Sequence, residues 1–399
     1  MNPLVSIVTP SFNQGRFIEE TIQSVLSQDY SSLEYLVMDG GSTDNTLDVL
    51  RRYESRLRWV SEPDRGQSHA INKGFARARG EIVAWLNSDD TFVQGAVNKA
   101  VRHFQKNPDV MMVYGEGYLI DEQSQVKQRF PATEPFNLWR LIYYGDYILQ
   151  QTVFMRKEVF DQVGMLDESL HYGMDWDLWI RIGKRFRIDY IPEFLGNLRE
   201  YSAAKTFSGG LARFEELVRI MRRHGTRRYP PALFNYGWEP YQEAVVGTLR
   251  KRFPWAEWGW LARGAGYAGK IARYLLFRQL LRLSQPSPYP DGWLSDHANF
   301  LFADCGGKSK LRVLGSTKNV PATSLPMKIK TRVNGQTLEP WKITRAEEFE
   351  LEHRLPTGSL QDTSMLEVTL STNKFFVPSR FGVEDHRRLA FELIGITLI

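Results

Sequence analysis

The 399-residue chain has a single cysteine, Cys305, so no internal disulfide can form and a reducing compartment is expected. It lacks any uncharged apolar run of the ~18 residues that a membrane-spanning helix needs. Its start, MNPLVSIVTPSFN, carries no basic leader and enters a strand pattern at once, so no signal peptide is expected. Low-complexity tracts are absent and 42% of residues are hydrophobic, which predicts a globular chain throughout. The net charge of +5 is too small and too spread out for a nucleic-acid partner. It suits phosphorylated ligands or an anionic membrane surface. Neither GxxxxGK(S/T) nor a GxGxxG after the first strand occurs, so a diphosphate would need a metal and side chains rather than a glycine cradle.

What is present centres on Gly80 to Asp90, GEIVAWLNSDD. Ile82 to Leu86 form a short apolar run, as in a strand buried on both faces of a parallel sheet. Asn87, Ser88, Asp89 and Asp90 then crowd polar groups where that strand ends. Adjacent carboxylates repel, and a hard divalent cation relieves them while bridging to a phosphate. The competing account is an acidic helix-capping turn.

Upstream, strands are expected at residues 4–10, 35–38 and 58–61, with helices between them that carry Ile18, Ile22 and Val25, then Leu47 and Leu50, then Ala70 and Phe75. Asn13 is the expected cap of the first helix. This alternation means a helix-covered, mostly parallel α/β sheet. Polar loops at 10–13, 39, 64–67 and 87–90 then share one sheet edge, where ligands of such sheets bind. Downstream, strands are expected at 110–115 and 150–155, and a helix begins near Asp175, with Leu178, Trp179 and Ile182 on its buried face.

The ordered motifs PLVSIVTPSFNQGRF, VMDGGSTDNT, DRGQSHAINKG and GEIVAWLNSDD closely resemble the inverting family-two nucleotide-sugar glycosyltransferases of GT-A fold, over about residues 3–225. The resemblance implies a hexosyl- or deoxyhexosyltransferase using a UDP-, dTDP- or GDP-sugar with Mn2+ or Mg2+. It implies that Thr9, Pro10 and Asn13 border the nucleoside and that Asp39 bonds the base. Arg65 and Asn72 would line the diphosphate or sugar. Asn87, Ser88 and Asp89 would contact the donor, and the metal would fall to Asp89 and Asp90, since Asn87 replaces the family's first acid. In GMDWDLWIR, Asp175 matches the catalytic base, with Met174 where the family often has Glu and Asp177 ranked second. Arg199 to Gly210 resembles the family's closing loop, with Glu200 and Tyr201 where a metal-reaching His is common, and Lys205 placed to contact phosphate.

Three segments are expected: residues 1–225 as the transferase domain, 226–289 as a helical basic and aromatic linker, and 290–399 as an accessory β-sandwich. Residues 1 to about 285 are expected to fold without the sandwich. The stretch Trp260 to Leu283 interleaves apolar and basic residues; it reads either as a helix lying on an anionic membrane or as one half-buried on the protein. The sandwich shows no Ser-His-Asp pattern or dense acidic cluster, so packing or carbohydrate binding is expected of it; its end resembles accessory β-domains of bacterial surface-polysaccharide enzymes. The functional expectation is a cytoplasmic transferase at the inner face of the membrane, building a cell-surface glycan on a glycan or lipid-linked acceptor. A carbohydrate-binding scaffold with a degenerate transferase domain is the rival, favoured by Asn87 and Met174. A nucleotidyltransferase would need a basic glycine-rich loop after strand one.

Overall fold

The computed structural model describes residues 2–201, 204–205, 209–225, 236, 293–294, 297–303, 308–355, 365–375 and 389–399. The chain forms two compact units, residues 1–136 with 145–244, and residues 137–144 with 245–399. The basic stretch 260–283 and nearly all of the expected linker lie outside the described residues.

In the first unit, β1 (Val5–Ser11), α1 (Ile18–Leu26), β2 (Leu33–Asp39), α2 (Thr46–Arg52), β3 (Arg58–Ser61), α3 (Gln67–Arg77) and β4 (Ile82–Trp85) alternate as expected. Strands β3, β2, β1 and β4 lie side by side in that order, all parallel. The apolar runs explain this placement: every residue of β1 and β4 is buried, which only a strand covered on both faces can achieve. Pro10 is tolerated in this central strand because β4 pairs with β1 only as far as Val8, so its missing N–H costs no ladder bond.

The second half departs from simple alternation. It comprises β5 (Thr91–Phe92), α4 (Ala96–Lys106), β6 (Val110–Ile120) and β7 (Val126–Arg129). Helix α5 (Leu138–Tyr143) belongs to the second unit. Then follow β8 (Phe154–Arg156), α6 (Val159–Val163), α7 (Met174–Gly183), β9 (Arg187–Arg199) and α8 (Gly210–His224). The full order is β3-β2-β1-β4-β8-β6-β9-β5, with β7 on β6. Strand β8 runs antiparallel to both neighbours, so the sheet is mixed. Two expectations change here. The strand expected over 150–155 is a 3-10 turn, Gln150–Thr152, followed by β8, because the buried glutamine amides leave the ladder to bond the β4 motif. The cap expected at Asn13 is absent: α1 starts after Phe17, and Asn13 sits at φ 52° with its side chain turned to the next loop.

The second unit holds β10 (His297–Ala303), β11 (Lys310–Ser316), β12 (Met327–Val333), β13 (Gln336–Thr337), β14 (Trp341–Ile343), β15 (Glu348–Arg354), β16 (Met365–Thr372) and β17 (Glu392–Leu398). They form two antiparallel sheets, β10-β16-β12-β13 with β14 on β12, and β15-β11-β17. Strand β12 alternates strictly buried and exposed. Asn334 and Gly335, both at positive φ, make the tight turn that their sequence signals.

Helix α5 packs on β10 and buries Leu138, Trp139, Leu141, Ile142 and Tyr143. A chain ended near residue 285 loses β10 and bares that face. Such a truncation should bind a hydrophobic dye strongly and precipitate. A soluble product with a cooperative unfolding transition would show that residues 1 to about 285 fold without the sandwich.

Candidate active site

The loops after β1 to β4 meet on one edge of the sheet and are bonded to each other. Asp39, 1% exposed, ends β2. Its carboxylate accepts the amides of Gly41 and Ser42 at 3.0 and 2.9 Å and the hydroxyls of Ser42 and Ser61 at 2.5 and 2.6 Å. Four donors occupy it, so Asp39 holds the loop together. Asn13 bonds this loop three times: its amide donates to the Ser42 hydroxyl, and its Oδ1 accepts the Thr43 amide at 2.8 Å and the Thr43 hydroxyl at 3.4 Å. Thr9 is fully buried against the Tyr35 hydroxyl at 3.0 Å, and Pro10 is buried in β1. These residues are engaged in holding the β1 and β2 loops together. The side chain that does face outward is Phe12, 59% exposed on this loop, which the sequence reading passed over. An exposed aromatic at the end of a buried strand was the available signal.

Arg65 and Asn72 belong to a different neighbourhood. Arg65 pairs with Glu168 at 2.5 Å, and Asn72 donates to Glu168 and to the Leu166 carbonyl. They brace the loop before α7.

The β4 turn is the most tightly built part. Asp90 is 1% exposed and accepts three N–H groups: Arg199 N at 2.8 Å on Oδ1, with Gln151 Nε2 at 2.6 Å and Asn87 Nδ2 at 3.1 Å on Oδ2. Burial, then the neighbouring Asp89 charge, push its carboxyl up to about 8 against those bonds. Enclosed this way, Asp90 does not fit the direct metal ligand expected of it; it positions the turn. Asn87 also donates to Gln150 Oε1 and accepts Gln67 Nε2 at 2.8 Å, while Gln150 holds the Trp85 carbonyl. Ser88 is buried beside it. Arg199, which ends β9, bonds the Asp89 carbonyl and pairs with Glu20. Gln151 did not stand out in the sequence, Gln67 entered only as part of a loop motif, and Arg199 read as the start of a loop because β9 is assembled from distant strands.

Asp89 is only half-buried. Its Oδ2 accepts the Tyr201 hydroxyl at 2.8 Å, and burial holds its proton affinity above the usual carboxylate range. A partly exposed, hard carboxylate that among the described residues accepts one side-chain donor, the Tyr201 hydroxyl, fits Mg2+ or Mn2+, which typically takes one or two carboxylates and completes its shell with phosphate and water. Asp89 alone of the pair meets that test.

Asp175 opens α7 on a separate element. The turn before it is clamped by Glu216 of α8, whose carboxylate accepts the amides of His171, Tyr172 and Gly173 at 2.8, 2.6 and 2.8 Å. A Cβ at Gly173 would lie 2.6 Å from the end of the Ile220 side chain, so a larger residue would require Ile220 to shift. Trp179 stacks on Trp85 with ring centres 5.2 Å apart, fixing α7 to β4. The Asp175 carboxylate is half-buried, with one oxygen on the Trp176 amide, and burial raises its proton affinity. A further acid emerges beside it: Asp146, raised by burial and by the Asp175 charge, and bonded through its amide to the Tyr236 hydroxyl. Lys205 links the two halves of the site. Its ammonium bonds Gln67 Oε1 at 3.0 Å, Gln67 bonds Asn87, and the Lys205 charge acts on Asp175.

Asp177 has a structural role. It is fully buried, paired with Arg181 at 2.7 Å and His224 at 2.7 Å, and its carboxyl is held down at about 2. A depressed carboxylate contributes stability above its unfolded pKa near 4 that is lost as pH falls toward 2, worth ~2 kcal/mol. His224, lowered mainly by burial, adds a loss of the same sign below pH ~6.5. Asp177→Asn should therefore lower stability at pH 7 and flatten its acid dependence, as urea titrations across pH would show, without a specific loss of turnover.

A mixed α/β sheet whose strand ends carry an acidic turn, with a separate acid on a facing helix, is the GT-A class of glycosyltransferase. The chain belongs to glycosyl transferase family 2, whose family model matches residues 6–164. It is 30% identical over 224 residues to an uncharacterized glycosyltransferase of Rickettsia prowazekii, covering 54% of this chain and 69% of that one. It is 32% identical over 216 residues to the O-antigen biosynthesis protein RfbC of Myxococcus xanthus, 52% of this chain but 16% of that one. Relatives from Rickettsia felis and Rickettsia conorii are spanned over 31% and 34% of their lengths. Among solved structures, TarS of S. aureus with UDP-GlcNAc matches with a TM-score of 0.46 at 18% identity, covering 63% of this chain and 73% of that one. A mannosyltransferase of Pyrobaculum calidifontis with GDP-Man and Mn2+ matches at 0.43 and 20%, covering 72% and 82%. Likeness at this level assigns no ligand to this chain. Among the described residues no helix is long and apolar enough to cross a membrane.

Proposed function

We propose that this glycosyltransferase moves a sugar from a nucleoside diphosphate to a hydroxyl of a growing cell-surface glycan or lipid-linked acceptor, inverting the anomeric centre, in the cytoplasm. One observation carries the reading. Two partly exposed carboxylates of raised proton affinity, Asp89 and Asp175, stand on different elements, and Lys205, whose charge acts on Asp175, is bonded to Gln67 and through it to Asn87, two residues before Asp89.

The base would stack on Phe12, whose ring is exposed on a loop braced by Asn13, Ser42 and Asp39. The ribose would lie toward Asn87. A Mn2+ or Mg2+ ion, held by Asp89, would supply positive charge to the diphosphate leaving group. Lys205, lowered by burial, would stand between diphosphate and base. The acceptor hydroxyl oxygen attacks the anomeric carbon from the side opposite the diphosphate. The carbon–diphosphate bond breaks, and the hydroxyl proton passes to Asp175.

The departures from the family pattern have structural uses, which weighs against a decayed site. Asn87 donates to both Asp90 and Gln150, and Met174 packs its sulfur against the Ser68 hydroxyl at 2.7 Å. The test is a thermal-shift screen of UDP-, dTDP- and GDP-sugars with Mn2+ or Mg2+. One base should raise the melting temperature in a metal-dependent way, since saturation at 100 Kd adds ~2.7 kcal/mol. No shift with any of them rejects the reading.

A further inference from the structure

We infer that Tyr201 is the positioning residue that makes Asp89 a one-oxygen ligand for the donor's divalent cation. The inference rests on the proposed metal-dependent donor site and adds a role for the loop that follows β9.

The geometry is specific. The Tyr201 hydroxyl donates to Asp89 Oδ2 at 2.8 Å, so that oxygen is already engaged. The Tyr201 ring is held in turn by Phe17, centre to centre 5.1 Å, and Phe17 carries the Arg199 guanidinium at 4.8 Å. Arg199 bonds the Asp89 carbonyl at 2.7 Å and, through its amide, Asp90 Oδ1 at 2.8 Å. Glu200, between Arg199 and Tyr201, is tied away to Lys127 and points to no ligand role. Asp89 is thus gripped from its carbonyl by Arg199 and from one carboxylate oxygen by Tyr201. A carboxylate so fixed presents its other oxygen in one direction. Partners that orient metal-ligating groups in this way typically govern 10–100-fold in metal affinity.

The phenol also explains how a loop without a His can act on the metal. The Tyr201 hydroxyl is a hydrogen-bond donor aimed at Asp89 Oδ2, so it acts on the ligand instead of replacing it.

Two measurements test this on the full chain. Mn2+ binding is read by electron paramagnetic resonance in the presence of UDP, dTDP or GDP, for wild type and Tyr201→Phe. The Phe variant keeps the ring on Phe17 and should fold normally, which its melting temperature checks. It should bind Mn2+ about 10–100-fold more weakly. Separately, 3-fluorotyrosine at position 201 should give a fluorine resonance broadened by Mn2+ and unbroadened by Mg2+. Equal or tighter Mn2+ binding by Tyr201→Phe, or a sharp resonance under saturating Mn2+, overturns the inference while leaving the donor site intact. Absence of Mn2+ binding by the wild type with all three nucleotides removes both.

Discussion

Asp175→Asn should lower sugar transfer by roughly two to four powers of ten while leaving nucleotide-sugar affinity near wild type. Asn keeps the volume and can still accept the Trp176 amide, so the start of α7 is preserved. What it loses is the ability to take a proton. The raised proton affinity of Asp175 sharpens the expectation. A base must be ionised to act, so transfer should fall on the acid side at a pH above the ordinary carboxylate range, and that limb should vanish in the Asn variant. Burial is the first cause of the shift, and the Lys205 and Arg213 charges oppose it. Lys205→Met should therefore move the limb further up. Single-turnover transfer across pH, beside equilibrium donor binding, separates these effects. Normal transfer by Asp175→Asn together with loss in Asp177→Asn would move the base to Asp177.

The second large effect separates two neighbours that look alike in sequence. Asp89→Ala should abolish the metal dependence of nucleotide binding and cut turnover by roughly a thousandfold, the several kcal/mol that cation charge stabilisation supplies. Its fold should survive, because Asp89 is partly exposed and among the described residues accepts one side-chain bond. Asp90→Ala should act differently. It strands the Arg199 amide and the Gln151 and Asn87 side-chain amides in a dry turn, at a cost of about 2–4 kcal/mol. Its melting temperature should drop sharply, and its activity should recover at low temperature in proportion to the folded fraction. Calorimetry of nucleotide binding with and without Mn2+, beside urea titration, distinguishes the two. A stable Asp90→Ala with metal-independent binding would return the ligand role to Asp90.

The contrast shows what the sequence could and could not carry. Strands β1, β2 and β4 were legible because each is a short apolar run closed by polar residues and buried on both faces, while the edge strand β3, only partly buried, followed from the alternation around it. The helix opening at Asp175 was legible from Leu178, Trp179 and Ile182 at helical spacing. Strand β9 was not, since Arg187–Arg199 mixes exposed and buried residues and gains its pairing only from β6 and β5. With β9 unseen, Arg199 read as the start of a loop, and the enclosure of Asp90 was invisible. Which of two adjacent carboxylates faces the cleft depends on partners 61 and 109 residues away, Gln151 and Arg199. The protein partners of Asp39 and Thr9 were hidden for a related reason: a polar residue at a strand end can serve ligand or loop, and the sequence does not count the donors already on it.

The central claim, donor-dependent inverting transfer, is tested most directly by following the first sugar released. The enzyme is incubated with the nucleotide sugar that stabilises it and with Mn2+, without acceptor, and the product is watched by proton NMR before the anomers equilibrate. Water takes the acceptor's place near Asp175, so slow hydrolysis should yield free sugar of anomeric configuration opposite to the donor's, and Asp175→Asn should suppress it. Release with the donor's own configuration, or hydrolysis that is unaffected by Asp175→Asn, would contradict the account.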